Sequence, residues 1–481
     1  MTMNRHGRKQ TILMFPWLGH GHISPFLELS RKLINTNLFD IYICSTPANL
    51  NSIKKPLGKE YGSPAIRLIE LHLPTLPELP PELHTTNGLP PHLMPVLKKA
   101  FHMASDRFAR VMKTLQPDLL IYDTLQPWAP VAAAALEIPS LVFITTSAAA
   151  TMVDFHLSTR TRGIALPFSK IYYRSYEYAK ILKNLENKDK EKELVMECVN
   201  RSSSLVLIKS FKDIEGKYCD YLSVLTDKKI VPVGPLVADP SLVEDVTQNS
   251  VIQWLDTKAT GSTVFVSFGS EYFLSNDDLE EIAYGLELSN VNFIWVLRFP
   301  KVDQRKLSLS EALPFGFLER VKDRGLVIEG WAPQAKILGH KNIGGFVSHC
   351  GWSSAMEAMK FGVPVIAMPM HLDQPINARL VEEVGIGVEV VRDENGRLSR
   401  EKMAAVVQHV VASKSGEVVR EKAKKMSADL SVKGEEEIDA VVVELLQLCR
   451  RGGGGGGRSE IKKTKSEAIA IGPYCAVKGE V

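Results

Sequence analysis

Two series of short apolar runs, separated by longer helical patterns, constrain the fold of this chain more than any other feature of its sequence. The first series lies at residues 12–15, 41–44, 119–122, 141–145 and 205–208. The second lies at residues 264–268, 293–297, 326–328, 345–347 and 363–367. Near-continuous apolar strands that alternate with helices are typical of parallel sheets buried on both faces. The sequence therefore predicts an α/β fold in which two doubly wound parallel-sheet domains follow one another.

A polar stretch over residues 238–250 separates the two series and is predicted to be a linker. The chain has 481 residues, more than one hydrophobic core usually spans, which agrees with two domains. Beyond Cys449 the sequence turns to two arginines and six consecutive glycines. Hexaglycine neither buries apolar surface nor holds a fixed backbone, so residues 451–481 are predicted to be a disordered tail, to which we assign no function.

The charge of the chain is balanced. Its 58 basic and 55 acidic residues give a net charge of +3, and the tail from residue 451 onward carries all of that excess. A neutral body has no electrostatic footprint for a polyanion, which argues against nucleic acid as the main ligand. Six scattered cysteines without a Cys-x-x-Cys pair fit neither a disulfide framework nor a zinc cluster, and they indicate a reducing compartment. No window approaches the roughly 20 apolar residues that span a bilayer, so we expect a cytoplasmic protein without stable membrane insertion.

A glycine and histidine turn follows the first predicted strand. Gly19 and Gly21 match the first half of a dinucleotide fingerprint, but Ser24 stands at the third glycine and no acidic residue ends the second strand, which argues against a nicotinamide cofactor. The turn lies at the carboxyl end of a strand and faces the predicted cleft between domains. His22 or His20 could therefore act as a general base, with a solvated loop histidine as the alternative.

Asp123 follows the apolar run at residues 119–122 and is predicted to lie at the same edge of the sheet. A carboxylate beside an imidazole fixes its tautomer and stabilises its charged form, which is what a general base needs. The alternative is a turn former or helix cap, which is also common for aspartate at a strand end.

The densest group of polar residues lies at 344–357, where a strand, a glycine turn and a helix start follow in order. Backbone N–H groups and the helix dipole make such a turn an anion site, to which His349, Ser353 and Ser354 add donors. A capping box of Ser354 and Glu357 is the alternative for these two residues. Trp331, Gln334, Asp373 and Gln374 add an aromatic face and sugar-binding polar groups, the parts that a nucleotide sugar needs. The chain has no Asp-x-Asp pair, so we expect no metal ion.

Residues 331–374, which begin WAPQ and end HLDQ, resemble the 44-residue nucleotide-sugar box of plant UDP-dependent glycosyltransferases. The resemblance extends over the chain to about Cys449. It implies the GT-B fold, in which two Rossmann-like domains face each other across a cleft. Residues 1–237 would bind the acceptor and residues 251–435 the UDP-sugar, with a helix over residues 436–450 that packs back on the first domain.

The resemblance also implies a role for each residue of the box. Trp331 would stack on uracil, and the Ala332 backbone would read the edge of the base. Gln334 and Glu357 would bind the ribose. The diphosphate would be bound by His349, Ser353, Ser354 and Ser270. The sugar would be positioned by Trp352, Asp373 and Gln374. Ser353 stands where an asparagine is common in the family. A serine can still donate to phosphate, but its side chain reaches less far towards it. The final Gln374 is typical of members that use glucose, so the resemblance implies UDP-glucose as donor and no cofactor.

The same likeness makes His22 the catalytic base and Asp123 its acidic partner in an inverting transfer that gives a β-linked product. Residues 71–94 and 119–130 resemble the branch-forming members, which add glucose to a sugar of a triterpenoid, flavonoid or similar glycoside. Direct transfer to an aglycone hydroxyl and a noncatalytic UDP-sugar or glycoside binding protein remain as alternatives, and the 1→2 or 1→6 linkage stays open. We expect a monomer. Candidate acceptor-binding residues are Tyr122, Trp128 and Phe143, for which core packing is the alternative.

Overall fold

Two parallel β-sheets, one in each half of the chain, form the frame of the computed structural model, which describes residues 8–57, 66–158, 164–183, 185–239, 249–269, 272–299 and 308–452. The strands of the first sheet are β1 (Gln10–Phe15), β2 (Phe39–Ser45), β3 (Ile66–Glu70), β4 (Leu119–Tyr122), β5 (Ser140–Ile144), β6 (Leu205–Ile208) and β7 (Lys229–Pro232). Their order across the sheet is β3-β2-β1-β4-β5-β6-β7. Neighbouring strands pair in parallel throughout this sheet.

The second sheet repeats this arrangement. Its strands are β8 (Thr263–Ser267), β9 (Asn292–Leu297), β10 (Gly325–Glu329), β11 (Ile343–Ser348), β12 (Val365–Ala367) and β13 (Gly387–Glu389). Their order is β10-β9-β8-β11-β12-β13, again with parallel pairing. Each predicted apolar run overlaps one of these strands, so the predicted α/β fold of two parallel-sheet domains is confirmed. Strands β3, β7 and β13 are additions to the runs given above.

Helices cover the faces of both sheets. In the first half they are α1 (His20–Asn35), α2 (Pro47–Leu57), α3 (Met94–His102), α4 (Ser105–Leu115), α5 (Trp128–Ala134), α6 (Ala148–Ser158), α7 (Ser175–Lys183), α8 (Leu185–Arg201) and α9 (Lys212–Thr226). In the second half they are α10 (Asn249–Asp256), α11 (Asn276–Ser289), α12 (Leu309–Ala312), α13 (Phe317–Val321), α14 (Gln334–Leu338), α15 (Trp352–Phe361), α16 (Gln374–Glu383), α17 (Arg400–Val411) and α18 (Glu417–Gly452). Short 3-10 turns occupy Pro81–Leu83, Pro91–Leu93 and Lys414–Gly416.

The central strands are buried on both faces, as their apolar sequences require. All four residues of β4 and all six of β11 are buried. Strand β11 is crowded at its start, where a Cβ on Gly344 would lie 1.9 Å from the carbonyl oxygen of Gly261. Only glycine fits at that position, and the close approach keeps β11 beside β8.

The last helix, α18, contacts both halves of the molecule. Near its start the Ser427 hydroxyl donates to the carbonyl of Lys360, in the second half. Towards its end Val441 and Leu445 belong to the apolar cluster that contains the strands of the first sheet. The polar linker residues 240–248 and the glycine-rich residues 453–481 lie outside the described residues.

A buried ion network crosses from one half to the other. Arg379 on α16 is 2% exposed and pairs with Glu389 of β13 and with Glu177 of α7, at 3.0 Å from Nη2 to Oε1. Arg174, before α7, also reaches Glu389 at 2.8 Å. These contacts hold the two sheets in a fixed relation, with a cavity between their carboxyl edges.

Candidate active site

The turn between β1 and α1 brings His22 to the cavity. Helix α1 begins at His20, and the N–H groups of His22 and Ile23 both donate to the carbonyl of Gly19, its N-cap residue. Strand β1 is central in its sheet, so the end of this strand faces the second half of the molecule. His22 is partly buried, whereas His20 is exposed at the first position of the helix.

Asp123 holds the imidazole of His22. Strand β4 lies beside β1 with Phe15 opposite Tyr122, so the residues that follow the two strands are neighbours. The His22 Nδ1 atom is 2.9 Å from Asp123 Oδ2 and 3.1 Å from the Thr145 hydroxyl oxygen. Because a carboxylate only accepts hydrogen bonds, Nδ1 carries the proton and Nε2 is left with a lone pair. The alternative of a solvated loop histidine does not describe this geometry.

Asp123 is wholly buried and accepts further hydrogen bonds. The backbone N–H of Trp17 donates to Oδ2 at 3.0 Å, and that of Thr124 donates to Oδ1 at 2.7 Å. Burial by itself raises the pKa of Asp123, but the charge and hydrogen bond of His22 and the two backbone donors outweigh it and lower the pKa below its usual value. Asp123 therefore stays ionised beside the imidazole.

The start of helix α15 forms the opposite wall of the cavity. Its N-cap residue is Gly351, with no side-chain cap, and Trp352, Ser353 and Ser354 occupy the first turn. Ser354 therefore stands inside the helix and not at its N-cap, so it does not form a capping box with Glu357. Both are instead contacted by the side-chain amide of Gln334, at 3.1 Å from Nε2 to Ser354 Oγ.

His349 lies just before this helix, between two glycines. A Cβ on Gly269 would lie 2.7 Å, and one on Gly351 2.6 Å, from the Nε2 atom of His349. The absence of side chains at both positions leaves room for the ring. Burial, together with nearby His371, lowers the pKa of His349 to about 3, so the imidazole is neutral at physiological pH. The ring therefore brings no full charge to the site.

The remaining box residues border the same cavity. Trp331 is 55% exposed and follows β10, while Ala332 next to it is buried. Gln374 begins α16, and its Oε1 atom accepts from the backbone N–H groups of Met370 and His371 at 3.0 Å. The carboxylate of Asp373 accepts from Asn377 at 2.8 Å, and burial raises its pKa to about 6.

The cavity has a volume of about 610 Å³ and is bounded by both halves of the chain. On one side it is lined by His22, and on the other by the predicted donor-site residues Trp331, Ala332, Gln334, His349, Trp352, Ser353, Ser354, Glu357, Asp373 and Gln374. Ser270 lies outside the described residues. The structure thus brings together residues that are more than 300 positions apart in the sequence.

Tyr122, Trp128 and Phe143 do not line this cavity, which corrects the acceptor-site prediction. Tyr122 and Phe143 are wholly buried, and the Tyr122 hydroxyl donates to the carbonyl of Cys198. Trp128 packs edge-on against Phe15, Phe101 and Phe108. Core packing, the alternative for these residues, describes all of them.

Side chains from α6 and α8 and from the segments next to α6 and α7 form the first-domain wall instead. Its polar members include Thr145, Thr146, Thr151, Asp154, Tyr173 and Lys192. The sequence does not predict these residues, because α6 is mostly apolar and shows no polar pattern. Asp154, the one charged residue in AAATMVDFHLS, was the available signal.

The described residues contain neither a metal-binding cluster nor a membrane-spanning helix. No group of three or more His, Cys, Asp or Glu side chains in that part of the chain could hold a metal ion. None of its helices is long and apolar enough to cross a membrane.

Comparison with known proteins identifies the family. Residues 9–238 match the family model described as glycosyltransferase, N-terminal domain, and residues 243–431 match the one described as UDP-glucoronosyl and UDP-glucosyl transferase. The chain belongs to this family of UDP-glycosyltransferases.

Several plant enzymes are similar over most of their length. UDP-glucosyltransferase 29 of Panax ginseng is 51% identical over 451 residues, which cover 93% of this chain and 98% of that protein. Mogroside IIIx synthase of Siraitia grosvenorii is 51% identical over 460 residues, 94% and 95% of the two chains. A β-D-glucosyl crocetin β-1,6-glucosyltransferase of Gardenia jasminoides is 50% identical over 441 residues, 90% and 98% of the two chains.

Solved structures agree on the fold. The crystal structure of a UGT of Glycyrrhiza uralensis, complexed with glycyrrhetinic acid 3-O-monoglucuronide, superposes with a TM-score of 0.78. The match covers 92% of this chain and 97% of that chain at 24% identity. The predicted GT-B arrangement of two facing Rossmann-like domains is confirmed.

Proposed function

We propose that this protein is an inverting, UDP-glucose-dependent glucosyltransferase that adds a β-glucosyl unit to a sugar of a small-molecule plant glycoside. The observation that carries the proposal is the pairing of His22 with buried Asp123 on one wall of a cavity whose other wall is the start of α15. A base and a phosphate-binding helix end thus face the same space, which is what transfer from a nucleotide sugar requires.

In this proposal the donor lies along the second domain. Trp331 stacks on uracil, the Ala332 backbone reads the base edge, and Gln334 with Glu357 holds the ribose. His349, Ser353 and Ser354 bind the diphosphate at the N-terminus of α15, where backbone N–H groups and the helix dipole favour an anion. Trp352, Asp373 and Gln374 position the glucose. No metal ion is needed, because the dipole and these donors offset the charge.

The transfer is a single displacement. The acceptor oxygen forms a bond to the anomeric carbon of α-linked UDP-glucose while the bond from that carbon to the β-phosphate oxygen breaks. The acceptor hydroxyl proton passes to Nε2 of His22, and Asp123 stabilises the imidazolium. The electron pair leaves with UDP, whose new charge meets the helix N-terminus and neutral His349. One displacement inverts the configuration, so the product is β-linked.

The first-domain wall supports a sugar as the acceptor. Asp154 pairs with Lys192 at 3.3 Å, and Thr145 places its hydroxyl 3.1 Å from the His22 ring. An apolar aglycone alone in this space would desolvate these groups and leave the rest of their hydrogen-bonding capacity unused, whereas sugar hydroxyls can both donate to them and accept from them. The name of the Gardenia relative gives glucosyl crocetin as its acceptor, which also supports an acceptor that already bears a sugar.

Mass spectrometry tests the reaction directly. Purified protein is incubated with UDP-glucose and a matched panel of flavonoid and triterpenoid aglycones and their monoglucosides. Gain of one hexose on the monoglucosides alone supports the proposal and leaves linkage to NMR. Gain of a hexose on the aglycones would show that the protein glucosylates an aglycone hydroxyl directly. Binding of UDP-glucose without any transfer would favour a noncatalytic binding protein.

His22→Ala tests the proposed base. We expect the rate to fall by roughly a hundredfold or more, as is typical when a general base is lost, while UDP binding stays nearly intact. His20→Ala is the matched control, since His20 lies two residues earlier on the same helix and is exposed. Normal turnover by the His22 variant would contradict the assignment.

The proposal also includes a cytoplasmic monomer. Among the described residues Cys44, Cys198, Cys219, Cys350 and Cys449 are free and buried, which supports a reducing compartment. Light scattering on the purified protein measures the oligomeric state.

A further inference from the structure

Lys209 is a buried cation that crosses from the first domain to the start of α15. It follows β6 directly and is 2% exposed. Its ammonium group donates to the Ser353 hydroxyl oxygen, with 2.9 Å between Nζ and Oγ. Its backbone carbonyl accepts from the indole N–H of Trp352 at 2.5 Å. The residue is therefore fixed at both ends against the first turn of the helix.

Burial and the helix dipole both oppose a charged lysine at this position. The N-terminus of a helix carries partial positive charge, so a cation beside it is repelled. Burial lowers the pKa of Lys209 to about 8. The charged groups that face it are Glu357, one turn further along α15, and Glu28 on α1, and both attract the ammonium. Burial also raises the pKa of Glu357, so burial disfavours the charged form of both members of this pair.

We propose that Lys209 is a positioning residue for the UDP diphosphate, acting through Ser353. The inference rests on the proposed donor site. Because Nζ donates to Ser353 Oγ, the lone pair that faces the lysine is occupied and the hydroxyl proton is free to point into the cavity, which Ser353 lines. The serine then donates to a phosphate oxygen through a charge-assisted chain from the ammonium. The Lys209 ammonium behind the Ser353 hydroxyl thus compensates for the absence of the asparagine that is common in the family at this position.

The arrangement predicts a loss that depends on phosphate. Lys209→Met keeps most of the length of the side chain and removes its charge. We expect the Kd for UDP to rise about tenfold or more, the usual size for a lost charge-assisted hydrogen bond. The Kd for uridine should rise less than the Kd for UDP, because uridine has no diphosphate and reports only the effect of the lost attraction between Lys209 and Glu357 on the ribose contact. Lys209→Arg should recover most of the UDP affinity.

A double-mutant cycle tests the route through Ser353. If the ammonium acts only by way of the hydroxyl, Ser353→Ala weakens UDP binding about as much as Lys209→Met does. The double variant then loses little more than either single variant, because the two changes remove the same contact. Additive losses would show that the lysine does not act through Ser353.

Proton linkage gives a readout that a packing defect would not produce. A bound diphosphate favours the charged lysine and raises its pKa, so UDP binding above pH 7 takes up a proton. UDP affinity of the wild type should therefore fall between pH 7 and pH 9 more steeply than that of Lys209→Met. The variant retains Glu357 and Glu28, so any slope that it shares with the wild type belongs to other groups. His349 stays neutral across this range.

Titration calorimetry with UDP and uridine, in buffers of different ionisation enthalpy, measures all of these quantities. If wild-type protein does not bind UDP, the proposed function is wrong and this inference has no basis. If wild type binds UDP and Lys209→Met binds it equally well, the inference alone is overturned. An equal loss for UDP and uridine, or no difference in proton uptake, would assign Lys209 to packing and would also overturn it.

Discussion

Replacing Asp123 with asparagine separates its effect on His22 from its effect on the fold. The carboxylate uses both oxygens: Oδ2 meets His22 Nδ1 and the Trp17 N–H, and Oδ1 accepts from the Thr124 N–H. An amide has one oxygen and one NH₂ group. If the NH₂ group takes the Oδ2 position, it places a donor against the Trp17 N–H donor. If it takes the Oδ1 position, it places a donor against the Thr124 N–H donor. Either orientation leaves one buried backbone donor without an acceptor.

The size of each effect follows from these contacts. An unsatisfied buried donor costs about 1–3 kcal/mol of unfolding free energy. With oxygen still on His22, the imidazolium loses its charged partner, worth about 1.5–3 kcal/mol, and the rate falls about tenfold to a hundredfold. With NH₂ on His22, Nδ1 must accept, the proton moves to Nε2, and the base is lost, which in a comparable triad costs about 10⁴ in kcat. We therefore expect kcat to fall at least about tenfold.

Initial rates with a monoglucoside acceptor, urea unfolding and UDP calorimetry measure these effects together. Asp118→Asn is the matched control, because Asp118 precedes β4 and accepts from the Thr11 N–H of β1 at 2.7 Å, at the opposite end of the same strand pair. It should lower stability without a selective loss of kcat. UDP affinity should stay unchanged in both variants. Asp123→Asn with kcat within about threefold of wild type, together with the expected loss of stability, would refute the pairing as the source of base strength.

Two further predictions concern buried charges. Glu215 is wholly buried, and burial raises its pKa to about 7, so its contribution to stability is present below its unfolded pKa and is lost as the pH rises through 7. The free energy of unfolding of Glu215→Gln, measured relative to that of the wild type by urea titration, should therefore rise by up to about 3 kcal/mol from pH 5 to pH 8. A difference that stays constant over this range would contradict the prediction. Arg379→Met leaves two buried glutamates without their shared cation and should cost about 3–5 kcal/mol. Arg320→Met, which removes the solvent-exposed pair with Glu287, should lower stability far less in the same assay, and similar losses for both variants would contradict the importance of the network.

Much of the fold was predictable because parallel strands buried on both faces must be apolar throughout. The apolar runs marked β1 and β4, and the geometry of a parallel sheet then brings the residues after them together, which is why His22 and Asp123 could be paired from the sequence. The cleft between the domains followed from the same rule.

Contacts that depend on how the domains meet could not be predicted in this way. Lys209 and Ser353 are 144 positions apart, and nothing in either local pattern points to the other. The capping-box alternative for Ser354 failed because the N-cap position is set by the backbone of Gly351, which begins the helix earlier than the side chains indicate. The acceptor-site prediction failed because Tyr122 and Phe143 point to opposite faces of a sheet that is buried on both, and Trp128 on α5 packs against one of those faces.

The course of α18 has a consequence for protein engineering. Chimeras of two-domain enzymes are often joined once, at the linker, so that each parent contributes one half of the chain. Here the end of α18 returns to the first sheet, where Val441 packs with its strands and Glu444 pairs with Lys229 of β7 at 2.5 Å. A single junction would place the last turns of one parent on the strands of the other. A hybrid that exchanges acceptor preference should therefore carry two junctions, with its final helical segment taken from the parent that supplies the first domain.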